Sequence, residues 1–276
     1  MIEKARKNSY FANLRRQYRD TKGFISSPSA RFKYGPSPLI AGKIRLYGIH
    51  AVNAGLQNPN RVLKCLYVTP NALKRLNIVE SNLPCPLELC SPKKLDTLIG
   101  SDAVHQGVVL ETEPLKPRHL SELTHSDLVV VMDQITDPHN VGAIMRSAVA
   151  FKAGALITTH RHSPQESGVL AKAASGALEM IDYITVCNLA EALKELHKAD
   201  FISFGLDSEG EKPLEIALTG QKIALILGAE GKGLRKKTRE TVCTLARLDM
   251  PGNIKSLNVS NAATIALYAT HKYLRP

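Results

Sequence analysis

Three observations predict an α/β fold for this 276-residue chain. Over residues 127–276, short and nearly unbroken apolar runs recur, which is the pattern of strands buried on both faces. Amphipathic stretches lie between most of them, so the expected architecture is a mostly parallel sheet with helices on both faces. Three of the breaks are rich in glycine, asparagine and proline, which places backbone-exposing loops at strand or helix ends. A smaller α/β unit is predicted ahead of this sheet, over residues 44–113.

The basic excess sits at the amino terminus. Residues 1–46 hold eleven Lys/Arg against two Asp/Glu, whereas the remaining 230 carry 25 against 23. Residues 1–43 are thus expected to form a cationic, disordered arm, because the Ser26-Ser27-Pro28 and Gly35-Pro36-Ser37-Pro38 stretches disfavour regular structure. Such an arm is drawn to polyanions by counterion release. The aromatics Tyr10, Phe11, Tyr18, Phe24, Phe32 and Tyr34 suit stacking on unpaired bases. A solvated tail without a partner is the competing reading. A mitochondrial transit peptide is a third, weakened by Glu3 and Asp20.

In the small unit, Tyr47–Leu56 reads as a helix start and 63–68 as a strand. Asn71 is expected to cap a helix running to Leu76, followed by a short helix over 92–99 and a closing strand over 107–111. Pro114, Pro117 and the polar run to Ser126 make residues 114–126 a linker. Beyond it, strands are predicted at 129–133, 155–158, 182–186, 201–204, 223–227 and 246–248. The clearest helix spans 189–197, with Leu189, Leu193 and Leu196 on one face. The chain's length suffices for two domains, each with its own core.

Several classes are excluded. No apolar stretch approaches the length of a membrane span, and the amino terminus lacks a secretory core. Five scattered cysteines without a CxxC pair point to reduced thiols and away from structural zinc. The loop Gly228-Ala229-Glu230-Gly231-Lys232-Gly233 lacks the Gly-Lys-Ser/Thr ending of a Walker A loop, and its glycines do not follow the dinucleotide spacing. Glu230 stands out, as a carboxylate directly after a buried strand. Its plainer reading is a charge at the start of a helix near Leu234. Asp137-Pro138-His139-Asn140 reads as a helix cap followed by proline in the first turn, with Arg146 two turns on. Ser256-Leu257-Asn258-Val259-Ser260 opens a capped helix of small residues.

Taken together and in this order, Asp137-Pro138-His139-Asn140-Val141-Gly142…Arg146, Leu227-Gly228-Ala229-Glu230-Gly231 and Ser256-Leu257-Asn258-Val259-Ser260 resemble the three motifs of the SpoU (TrmH-like) RNA ribose 2′-O-methyltransferases. Tyr47-Gly48-Ile49-His50-Ala51-Val52 resembles the opening of that family's small L7Ae/L30e-like RNA-binding domain. The likeness is greatest to the bacterial 23S rRNA (guanosine-2′-O)-methyltransferases. The resemblance implies a trefoil knot in residues 127–276, against the usual rule that chains do not thread loops. It implies S-adenosylmethionine as cofactor, no metal, and a homodimer. The implied substrate is 23S rRNA or a large-subunit precursor in the bacterial cytoplasm, with a mitochondrial matrix as the lesser alternative.

By position, Gly228, Leu248 and Leu257, with Leu227 and Met250, are implied to hold the cofactor. Arg146, Asn140, Glu230, Ser256 and Asn258 are implied as the catalytic set. One departure from the family pattern is Asp249, where relatives carry proline after the first apolar residue. Four rival functions stay open: ribose methylation of tRNA, base methylation by a related knotted enzyme, a resistance methylase of the same fold acting on a different rRNA loop, and rRNA binding without catalysis.

Overall fold

Two sheets organise the chain. The computed structural model describes residues 42–76, 78, 83–123, 126–254 and 256–275. The expected basic arm, apart from Gly42 and Lys43, lies outside the described residues. The first sheet contains β1 (Ile44–Tyr47), β2 (Leu63–Val68), β3 (Leu87–Leu89) and β4 (Val108–Thr112), in the order β1-β4-β2-β3. Helices α1 (Ile49–Gln57), α2 (Pro70–Leu76) and α3 (Pro92–Ile99) accompany it.

Two local expectations are corrected here. Ile44–Tyr47 form a strand antiparallel to β4, and the helix expected from Tyr47 begins only at Ile49, after the Gly48 turn. Ile44 and Leu46 alternate with Arg45, and both apolar side chains are buried; four residues are too few for periodicity to reveal a strand. The second helix starts at Pro70, not at an Asn71 cap: Thr69 Oγ1 accepts the Ala72 N–H at 3.3 Å. Proline in the first turn marks that start, because its missing N–H needs no partner there.

The second sheet carries β5 (Leu128–Asp133), β6 (Ala155–Thr159), β7 (Asp182–Val186), β8 (Ile202–Leu206), β9 (Lys212–Pro213), β10 (Ile223–Gly228) and β11 (Thr244–Arg247). Its order is β7-β6-β5-β10-β8-β11-β9, and every recorded pairing is parallel. The strand expected at 246–248 thus lies slightly earlier. The linker includes one 3-10 turn at Leu120–Glu122. The helices are α4 (Pro138–Ala150), α5 (Gly168–Ala174), α6 (Leu189–Lys198), α7 (Leu214–Ala217), α8 (Lys236–Thr241) and α9 (Val259–Leu274).

Packing follows the residue pattern. All six residues of β5 are buried, as strands covered on both faces must be. Leu189, Leu193 and Leu196 of α6 are buried together, as their spacing predicted. One buried cluster runs from Leu46, Val52 and Leu66 beside the first sheet to Val130, Ile144 and Leu170 of the second. The two sheets therefore share a core where separate cores were expected. Gly142 makes part of this possible. A Cβ there would lie 2.5 Å from Ala173 Cβ and 2.7 Å from the Ala174 nitrogen, so only glycine lets α4 and α5 approach so closely.

The strand order contains the feature that places the site. From β5 the chain moves outward to β6 and β7, then returns to build β8 and β10 on the other side of β5. Parallel sheets bind ligands where the order reverses, outside the carboxyl ends of the strands. Here that point lies between β5 and β10, whose last residues, Asp133 and Gly228, are paired.

Candidate active site

Three loops meet at this switch point, and a single carboxylate oxygen joins them. β10 ends at Gly228, and the chain folds back on itself. The Ala229 N–H bonds to the Gly233 carbonyl at 3.2 Å, and the Gly233 N–H bonds to the Ala229 carbonyl at 2.9 Å. Gly231 and Gly233 take φ values of 74° and 62°, which disfavour residues with a Cβ. At Gly228 the requirement is steric, since a Cβ would stand 2.3 Å from the Gly233 carbonyl carbon. Glu230 is thereby held at the tip of the turn.

Glu230 Oε1 accepts three hydrogen bonds, from Asn258 Nδ2 (2.8 Å), the Val259 N–H (3.2 Å) and Asn140 Nδ2 (3.3 Å). Asn258 Nδ2 also donates to Asn140 Oδ1 at 2.9 Å. The expected negative charge at a helix start is thus real, but the helix is α9, not one near Leu234; α8 begins only at Lys236. Both contributing helices are capped as their sequences predict. Asp137 accepts the His139 N–H at 2.9 Å, and Asn258 Oδ1 accepts the Ser260 N–H at 2.9 Å. A further tie, between Ser147 and Thr264 hydroxyls at 2.7 Å, joins α4 to α9.

The sequence reading missed Asp133 and Arg235. Asp133 is fully buried at the end of β5. It accepts the Arg235 N–H at 3.0 Å and Arg235 Nε at 2.5 Å, clamping the far end of the glycine turn. The available signal was an acidic residue closing an otherwise apolar strand, which calls for a specific partner.

Hydrogen bonds join Asn140, Glu230 and Asn258, and Arg146 is not part of that network. Arg146 is exposed on α4, six residues beyond Asn140, which is about 9 Å of rise and roughly 120° of rotation. Among the described residues it makes no hydrogen bond or ion pair. Ser256 is likewise exposed and outside the network. Of the residues expected to hold a cofactor, Leu227 is buried in β10, Gly228 ends that strand, and Leu248 packs on the core. Met250 and Leu257 lie in the irregular connection between β11 and α9.

That connection presents irregular backbone and apolar side chains beside the junction. Residues 248–254 and 256–258 belong to no helix or strand. Leu257 and Ile254 are 40% and 75% exposed and give it an apolar surface. The Glu230–Asn258 contact sets this connection against the glycine turn. A cleft of about 1070 Å³ elsewhere, beside β7 and residues 114–118, is lined by none of these residues.

Comparison with known proteins gives the arrangement its family. Residues 127–268 match the SpoU rRNA Methylase family, and residues 45–118 match the RNA 2′-O ribose methyltransferase substrate binding family. The chain belongs to the SpoU rRNA methylase family. Among its relatives is the 23S rRNA (guanosine-2′-O-)-methyltransferase RlmB of Ralstonia nicotianae. It is 38% identical over 237 residues, which cover 81% of this chain and 93% of the relative. The RlmB of Coxiella burnetii is 37% identical, covering 82% and 94%. In fold, this SpoU chain resembles the SpoU methyltransferase AviRb from Streptomyces viridochromogenes, solved with AdoMet. The TM-score is 0.73 at 22% identity, covering 84% of this chain and 91% of that one.

Proposed function

We propose that this chain transfers a methyl group from S-adenosylmethionine to the ribose 2′-hydroxyl of a guanosine in 23S rRNA, in the bacterial cytoplasm. The observation that carries this reading is the junction at Glu230 Oε1, where all three SpoU motifs meet within 3.3 Å. Residues 44–113 serve as the RNA-binding unit, 114–126 as linker, and 127–276 as the methyltransferase.

When bound, S-adenosylmethionine supplies a methyl group already activated on a sulfonium, so the protein's share is alignment and charge management. Leu257, Leu248 and the backbone around Gly228 and Met250 would hold it. Asn140, Glu230 and Asn258 position the connection between β11 and α9, and Ser256 would line it on the side of the methyl donor. A ribose hydroxyl must lose its proton as its oxygen is alkylated. Arg146 holds its own proton too firmly to act as the base. Its exposed guanidinium instead donates hydrogen bonds to the ribose oxygen and the neighbouring phosphate, stabilising developing negative charge. A phosphate oxygen or water takes the proton.

The same proposal includes a trefoil knot and a homodimer. The knot is supported by the return of the chain after β11 to the β5–β10 junction, where Asn258 and Val259 meet Glu230. Ile265, Tyr268 and Tyr273 form an exposed apolar stripe on α9, 44%, 53% and 39% accessible, at spacings that share one face. A second copy of this chain is the occupant that supports the dimer.

Ribose methylation blocks alkaline cleavage of the following phosphodiester. Purified protein, S-adenosylmethionine and 23S rRNA should therefore yield alkali-resistant dinucleotides beginning with guanosine. Methylated rRNA without resistant dinucleotides would move the reaction to a base. Methylation of tRNA alone would replace the substrate.

A further inference from the structure

Arg61 occupies an unusual position. Its side chain is fully buried, in the turn between α1 and β2, and its charge is met by carboxylates far along the chain. Arg61 Nη2 pairs with Glu179 Oε1 at 2.5 Å and Arg61 Nη1 with Glu166 Oε1, while Nη1 also donates to the Glu113 carbonyl at 3.1 Å. Asn58 Nδ2 donates to the second Glu179 oxygen at 2.6 Å, and the Leu115 N–H donates to the second Glu166 oxygen at 2.8 Å. Both carboxylates are therefore committed on both oxygens.

The two acids bracket α5. Glu166 lies two residues before it and Glu179 five residues after it. α5 is also tied to the loop that leads into β4, through Lys172 Nζ donating to Gln106 Oε1 at 2.7 Å. On its other side, Gly142 admits the backbone of Ala173 and Ala174, so α5 and α4 touch almost without intervening side chains. α4 carries Asn140 and Arg146. A rigid path thus runs from the 58–61 turn, through Arg61 and α5, to the helix that bears the guanidinium.

We infer that Arg61 is a positioning residue: it fixes the register between the RNA-binding unit and α4, so that bound RNA presents its ribose to Arg146. This rests on the functional reading above and adds to it where substrate selection is set. A planar, bidentate guanidinium defines an orientation that a flexible ammonium does not. Displacement of reacting groups by about 1 Å costs on the order of a hundredfold in rate.

The test uses the full chain and two variants. Arg61→Lys keeps the charge but loses the fork. The combined Arg61→Met, Glu166→Gln, Glu179→Gln variant leaves no buried ion unpaired, so folding survives loss of the clamp. Four quantities are measured: thermal midpoint, S-adenosylmethionine affinity by calorimetry, filter binding to full-length 23S rRNA transcript, and single-turnover methylation with mapping of the methylated nucleotides. The expected result for the triple variant is a folded protein with both affinities within about twofold of wild type. Its methylation should be roughly ten- to a hundredfold slower and spread over additional nucleotides. Arg61→Lys should fall between. A folded triple variant that methylates the wild-type nucleotide at the wild-type rate overturns the inference and leaves the functional reading intact. Loss of both affinities in step with rate also overturns it, reducing Arg61 to a scaffold. A wild-type chain that places no 2′-O-methyl on rRNA removes both.

Discussion

Replacing Glu230 by glutamine and by alanine separates geometry from charge at the junction of the three motifs. All three donors reach the same oxygen, Oε1. A glutamine carbonyl in that place can accept all three, so Glu230→Gln keeps the arrangement and gives up only the charge. Charge-assisted hydrogen bonds are about twice as strong as neutral ones, so the bonds weaken without vanishing. Glu230→Ala removes the acceptor altogether and frees the connection that precedes α9. Because Glu230 is exposed, the stability loss for alanine is small, about 1 kcal/mol. That lowers the thermal midpoint by roughly 2–4 °C for a chain of this size. The rate effect is larger, because a shift of about 1 Å in Asn258 and Leu257 costs on the order of a hundredfold, or about 2.7 kcal/mol in the barrier. Single-turnover methyl incorporation into 23S rRNA, with calorimetry on S-adenosylmethionine, provides the assay. Glutamine is expected within about tenfold of wild type and alanine near a hundredfold down. If glutamine proved as damaging as alanine, the carboxylate's charge would be what matters, and the positional account of this junction would fail.

Arg146→Ala should leave S-adenosylmethionine affinity unchanged while methyl transfer falls by about two to three orders of magnitude, and Arg146→Lys should not restore it; equal loss of cofactor binding would refute the role. Arg61→Ala strands the buried Glu166 and Glu179, 13% and 4% exposed, at a cost of about 3–5 kcal/mol, read as a lowered urea midpoint. Burial pushes the His197 imidazole below its usual value of 6.5, with Ser203 Oγ 2.7 Å from Nε2. The unfolded chain then takes up this proton first, so the contribution is present above pH 6.5 and is lost as pH falls through the folded value. Urea midpoints should drop on acidification through that window, and His197→Gln should flatten the drop.

The residue pattern and the tertiary structure divide the information about this protein in a way that has a physical basis. Local burial leaves a local trace. The strands at 128–133 and 223–228, the leucine face of α6, and the caps at Asp137 and Asn258 could all be read from neighbouring residues, because period and capping act within a few positions. Three short strands, β1, β3 and β9, left no such trace, since pairing and not periodicity defines them. The three motifs could be recognised as a set, but not their contact. Asn140 and Glu230 are 90 residues apart, and Asn140 and Asn258 are 118. Only the insertion of β10 beside β5 brings their loops to one edge of the sheet. The same holds for Asp133 with Arg235 and for Arg61 with its two carboxylates. Each charge is visible along the chain, but which opposite charge it meets depends on how the strands are ordered, and no local pattern encodes that order.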